Sequence, residues 1–198
     1  MSANPPPIER RRKPDEIRAQ ALEVGRRLLV EQGVHALTLK AIGAEVGTSH
    51  ANLIYHFGSA EDFQVMLKDR LVQELTDAVK AMVERYRSGE CELAAIVDAV
   101  LSAYSAGGVG RLLAWLALTG KMGGAQGLTG SIAELVEVLE GVVPGDGAAE
   151  RARDLVWVMT GMALLESLYG ETLNAMLGGQ EIGARDRTVA LLERLTAR

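Results

Sequence analysis

Between Phe63 and Met82 an apolar residue returns at steps of three and four: Phe63, Leu67, Leu71, Leu75, Ala78 and Met82. That period gathers all six on one stripe of an α-helix, whereas a strand would scatter them over both faces. The same spacing recurs in Ile17, Ala21, Val24 and Leu28, and again in Leu93, Ile96, Val97, Val100, Leu101 and Tyr104. It returns in Ile132, Leu135, Val136 and Leu139, and last in Val189, Leu192 and Leu195. Alternation of period two is hard to find, and glycines fall between the periodic blocks rather than inside strands. With 48% hydrophobic residues in 198, the chain can bury a sizeable core, and the fold class is all-α.

Caps and breakers divide the helices. Pro14, Asp15 and Glu16 suit a first helical turn, and Gly33 suits its end. Thr38 then caps a very short second helix, LKAIGAEV, with Leu39, Ile42 and Val46 inward. Gly47 supplies a tight turn, and Thr48 or Ser49 caps a third helix that ends near Phe57. On it Leu53 and Phe57, with Ile54, are expected to anchor the core. His50, Asn52, Tyr55 and His56 are left for the outer faces. Ser59 caps a long fourth helix that runs to about Arg87. Further on, Gly107 and Gly108 end a fifth element, and the five glycines of 120–130 are expected to form a loop. The segment 144–147 reads as a turn, 148–169 as a strongly apolar helix, and Gly178-Gly179 as another break.

Two short helices joined by a Gly-containing turn are the helix-turn-helix pattern, whose second helix lies in the major groove of DNA. The polar third helix then has a purpose. Asn52 can meet adenine with two hydrogen bonds, His50 and Ser49 can bond base edges or phosphates, and Tyr55 can bond a phosphate. Charge supports this reading. The whole chain carries −5, but residues 1–60 hold 8 Lys+Arg against 6 Asp+Glu, hence +2. The remaining 13 against 20 give −7, so only the first third suits a polyanion. Residues 1–13, with three consecutive prolines and then Arg10, Arg11, Arg12 and Lys13, are expected to be a disordered basic arm. That arm is either a solvated tail or a contact to DNA phosphates or the minor groove.

In order and in residues, the stretch from Gly33 through Leu37-Thr38, Ile42, Val46-Gly47, Ser49, Leu53, Tyr55-His56-Phe57, Ser59 and Glu61 resembles the TetR-type family of bacterial transcriptional regulators. The resemblance covers residues 15–65. It implies a three-helix DNA-binding domain over 14–58, joined to a larger α-helical effector-binding and dimerisation domain over 59–198. It further implies a homodimer joined by its last two helices, a (pseudo)palindromic double-stranded DNA operator and a small-molecule effector. By position, Thr38 is expected on a phosphate, Thr48, Ser49, His50 and Asn52 at the bases or beside them, and Tyr55 and His56 on the backbone. The chain departs from the family pattern at His50 and Ala60, where Lys is common, and at Ala51 and Ile54, where Gly and Tyr are common. Loss of two cations and a phenol removes phosphate contacts and weakens salt-dependent attraction.

Other chemistries find little support. His35, His50 and His56 lack metal-ligand spacing, and no phosphate-binding, metalloprotease or nucleophile-elbow signature is present, so neither an enzyme nor a cofactor is expected. Cys91 stands alone between Glu90 and Glu92, which disfavours its thiolate. The apolar blocks 112–118 and 155–165 fall short of the roughly 20 residues a membrane span needs, so a cytoplasmic protein with no membrane partner is expected. A pocket in the larger domain would combine apolar walls with a few polar groups. Met82, Tyr86, Tyr104, Arg111, Trp115, Trp157 and Thr160 are its candidates, with Arg111 meeting an anionic or carbonyl group. The competing function is an all-α small-molecule-binding protein or enzyme that does not act on DNA.

Overall fold

The computed structural model describes residues 13–122, 126–143, 145–178 and 183–196. Nine α-helices occur among them, and no strand. The first, α1 (Pro14–Gln32), begins with the Lys13 backbone N–H donating to Glu16 Oε2 at 3.2 Å. A 3-10 turn over Val34–Ala36 follows, which the apolar period alone does not announce. Then come α2 (Leu39–Val46), α3 (His50–Phe57) and α4 (Ala60–Arg87). The N-terminal core is Leu29, Leu37, Ile42, Leu53, Phe63 and Leu67, all fully buried or nearly so. Phe57 meets Phe63 edge to face, with ring centroids 5.0 Å apart, which fixes the end of α3 on the start of α4.

Helix α4 serves both halves. Its first turns complete the small N-terminal core, while Val79 and Val83 enter the core of the larger bundle. That bundle is α5 (Leu93–Ser105), α6 (Val109–Leu118), α7 (Gln126–Glu140), α8 (Ala148–Met176) and α9 (Ala184–Thr196). Helix α5 lies against α4, α6, α8 and α9, and α7 packs on α4 and α8. On α5 the buried face is the one the spacing marks out, with Ile96, Val97 and Val100. On α4 it follows the spacing to Leu71 and then moves round by one residue to Thr76, Val79 and Val83, leaving Ala78 exposed. On α6 it is Leu112 and Leu116.

Three expectations are corrected. The glycine-rich segment is shorter as a loop than its composition implies, because Gln126–Gly130 already belong to α7; residues 123–125 lie outside the described residues. Helix α8 continues to Met176 rather than ending at Tyr169: a single buried Gly170 does not break it, and no proline follows. Ile54 is 44% exposed and His56 only 9%, the reverse of their polarity. At 100° per residue, His56 falls with Leu53 and Phe57 on the inner side of α3, and Ile54 turns outward. The basic arm lies outside the described residues except for Lys13, as does Pro144 of the turn after α7.

Candidate nucleic-acid interface and the cavity behind it

The helix-turn-helix is held by hydroxyl caps. The Thr38 hydroxyl accepts from the Ala41 N–H at 3.2 Å, and the Ser49 hydroxyl accepts from the Asn52 N–H at 3.1 Å. Gly47 closes α2 with φ 72° and ψ 40°, a left-handed conformation that costs an L side chain about 1–2 kcal/mol. The Thr48 N–H returns to the Gly43 carbonyl at 2.9 Å and sets the angle at which α3 leaves. A capping hydroxyl accepts through a lone pair and keeps its own proton for another acceptor. Thr38 and Ser49 therefore each retain a donor.

On α3, His50 is exposed and Tyr55 is 83% exposed. The Asn52 carboxamide donates through Nδ2 to Thr48 Oγ1 at 2.8 Å, which orients it and leaves Oδ1 without a partner among the described residues. Thr48 is thus the positioner of Asn52, and Ser49 is the cap. The ring of His56 is buried beside Tyr55, with centroids 5.4 Å apart, and its carbonyl accepts from Arg18 Nη2 at 2.7 Å. Its imidazole is accordingly withdrawn from any ligand of the outer face. Ser59 and Asp62 form a reciprocal cap at the start of α4: the Asp62 N–H donates to Ser59 Oγ at 3.0 Å, and the Ser59 N–H donates to Asp62 Oδ2 at 3.0 Å. Lys40, exposed in the first turn of α2 and in no ion pair among the described residues, is an outward cation that the sequence reading passed over. Its signal was available, two residues after the Thr38 cap.

In the larger domain α4, α5, α7, α8 and α9 line an apolar cavity of about 150 Å³. Val79, Val83, Ile96, Val100, Leu155 and Met159 contribute much of its wall. Four polar side chains reach it: Thr76, Tyr86, Tyr104 and Thr160. No charged side chain of a described residue lines it. Burial pushes the Tyr104 phenol up from its ordinary pKa of 10.0, against the opposing effect of a hydrogen bond shared with the Thr160 hydroxyl. The phenol is therefore neutral at neutral pH and acts as a hydroxyl.

The structure brings together Tyr86, Tyr104 and Thr160 of the expected pocket and separates the other four. Met82 packs on the core without entering the cavity wall. Arg111 is exposed in a different groove, which it shares with Glu166 on α8. Trp115 sets its ring edge against His35 at 5.2 Å, at the junction with the DNA-binding module. Arg111 and Trp115 do share a face of α6, but the buried stripe is Leu112 and Leu116, one residue further round. Trp157 is 79% exposed, because the inner face of α8 is Ala152, Leu155 and Ala163, and position 157 falls opposite it. Thr76, which the sequence reading missed, lies in the α4 stripe at a position that composition cannot distinguish from any polar helix residue.

No group of three His, Cys, Asp or Glu among the described residues is arranged to hold a metal ion. No single helix among them is long and apolar enough to cross a membrane.

Residues 21–63 match the family described as bacterial regulatory proteins, tetR family. No curated protein matches the chain. A TetR-family transcriptional regulator from Pectobacterium atrosepticum superposes with a TM-score of 0.67 at 20% identity, over 94% of this chain and 95% of its own. A TetR-family member from Streptomyces coelicolor gives 0.61 at 19% identity, over 92% and 99%. The multidrug binding protein EbrR, complexed with imidazole, gives 0.64 at 16% identity, over 91% and 95%. At such identities the likeness carries the fold, and the matched N-terminal segment carries the family. Residues 21–63 thus carry the helix-turn-helix of the TetR family, and the all-α arrangement of the chain is similar to that of TetR-family structures.

Proposed function

We propose that the protein is a transcriptional repressor in the cytoplasm, binding a (pseudo)palindromic operator as a homodimer and leaving it when a small, largely apolar molecule occupies the cavity. The observation that carries this reading is the pairing, along one helix, of two different sites. The first turns of α4 support α3, whose outer face presents His50, Asn52 and Tyr55, and its later turns form a wall of the cavity. On the DNA side, Thr38, Lys40 and Tyr55 serve phosphates, while Ser49, His50 and Asn52 serve base edges. Exposed Ile54 offers an apolar contact for a thymine methyl group.

Support for the homodimer comes from α8. Trp157, Leu165, Leu168, Tyr169 and Met176 are all exposed and recur at helical spacing on its outer side. A contiguous apolar stripe of this length marks an interaction surface. A two-fold axis through it gives two recognition helices, and an operator half-site spacing of roughly 34–36 Å or a little more is expected.

The test is selection of DNA by the purified full chain, repeated with candidate effectors. Enrichment of a two-fold site, bound more weakly as salt rises and released by an effector, supports the reading. Absence of any salt-sensitive, sequence-selective DNA binding would refute it and favour the alternative, an all-α small-molecule-binding protein or enzyme without a DNA-dependent function.

A further inference from the structure

We infer that the cavity takes an uncharged molecule with an apolar body of about the size of a benzene ring and one hydroxyl or carbonyl group, and that this group is bonded by Thr76. The inference rests on the effector reading above and names the ligand's chemistry. Size follows from the cavity of about 150 Å³, a volume that holds benzene when its walls are apolar. Neutrality follows from the walls: an ion placed there would lose its hydration with no opposite charge to meet it.

The polar group follows from Thr76. It is 3% exposed, it lines the cavity, and its hydroxyl makes no hydrogen bond to another described residue. Buried hydroxyls nearly always have a partner, and one facing a cavity is ready for a guest's. Of the other polar groups on the wall, Tyr86 and Thr160 are exposed to solvent, and the Tyr104 phenol lies under the influence of the Thr160 hydroxyl. An anion gains nothing by leaning out past Tyr86, which also borders an open groove. There Arg87 is already paired with Glu84 at 3.1 Å, and Glu92 and Glu193 share the groove.

Four probes of nearly one shape separate the possibilities: toluene, benzyl alcohol, benzoate and benzylammonium. Their binding to the full chain without DNA is measured by calorimetry. Benzyl alcohol is expected in the high-micromolar to millimolar range, about 3- to 10-fold tighter than toluene from one added hydrogen bond. Benzoate and benzylammonium are expected at least about 100-fold weaker than the alcohol, from the cost of burying an unpaired charge. Thr76→Val removes the preference for the alcohol over toluene, and Thr76→Ser, which keeps the hydroxyl, retains it. Either ion binding as tightly as the alcohol, a preference that survives Thr76→Val, or no alcohol binding at millimolar concentration overturns the inference. DNA release is measured separately. Selective alcohol binding without release of operator DNA refutes the effector reading and leaves the ligand class standing.

Discussion

Gly25 offers a test in which two known effects oppose each other and the structure decides between them. It lies in the interior of α1, where alanine is preferred by about 1 kcal/mol because glycine loses more backbone freedom on folding. A Cβ built there, however, would lie 2.6 Å from Phe63 Cζ and 2.8 Å from Cε1, against about 3.5–4.0 Å for a comfortable carbon contact. Were Phe63 on the surface its ring would swing aside and alanine would stabilise. It is fully buried and set edge-on to Phe57, so α1 and α4 must separate by about an ångström or the ring must leave its rotamer. Overpacking of this kind costs about 1–3 kcal/mol. Set against the propensity gain, which leaves about 0–2 kcal/mol, Gly25→Ala is expected to destabilise by about 1 kcal/mol, a fall in Tm of roughly 2–4 °C for a chain of this length. Urea unfolding at one fixed protein concentration reads it, since a dimer's stability depends on concentration. Because Phe57 ends α3, operator affinity should fall as well. A variant as stable as the parent, or more so, would refute the claim that α1 and α4 meet too closely for a methyl group.

Three further outcomes follow from the sites. Asn52→Ala should cost about 1–3 kcal/mol on the selected operator and relax preference at one base pair, whereas Tyr55→Phe should weaken cognate and unrelated DNA alike; identical behaviour of the two would undo the division between base and phosphate contacts. Leu168→Glu, on the exposed stripe of α8, should convert the dimer to a monomer in sedimentation at micromolar concentration, and a parent that sediments as a monomer would remove the interface. The hydrogen bond from Lys121 at 2.6 Å, with the attraction of its charge, holds Glu61 below its ordinary pKa of 4.5. A depressed carboxyl stabilises above its unfolded pKa and loses that contribution as pH falls through the folded one, so the clasp is intact at neutral pH and opens only in acid. Lys121→Ala should therefore leave an acid-unfolding profile shallower in that range, and an unchanged profile would show the clasp to be energetically silent.

The helices were legible because their apolar residues keep one period over many turns, and the DNA-binding module because its caps and its Gly turn sit at fixed spacing. Errors arose where a helix was too short or too apolar for that signal. On eight-residue α3 the inner face is three residues wide, and polarity misassigned both Ile54 and His56. On α8 apolar residues occupy both sides, so Trp157 read as a pocket residue although it faces away from the core. Arg111 and Trp115 are correctly four apart on α6, but spacing gives a face without saying what that face meets. The wall of the cavity is assembled from five helices distant in sequence, and Thr76 acquires meaning only when α5, α7, α8 and α9 close over it.

In the proposed function, communication between the two sites would run through α4, which has neither Gly nor Pro along its 28 residues and hence no built-in hinge. Thr76 and Phe63 are thirteen residues apart, about 20 Å along the axis, so a tilt of about 5° at the cavity moves the base of α3 by roughly 1.7 Å. Such a shift is shared with α6, because α6 and the segment after it are fastened to the DNA-module end of that path. Its Trp115 meets His35 beside α2, and the segment after it is tied to α4 twice, by Lys121 to Glu61 and by buried Lys68, whose Nζ donates to the Met122 carbonyl at 2.7 Å. A ligand moves this assembly only by the difference in its affinity for the two positions of α4. For a guest of benzene size that difference has few sources: the fit of the apolar walls and the bond to Thr76. An effector lacking the polar group can still fill the cavity, yet it forgoes the one directional contact that α4 itself supplies. On this reading, occupancy and release are separable properties, and Thr76→Val should reduce the release produced by a saturating alcohol more than it reduces the alcohol's binding.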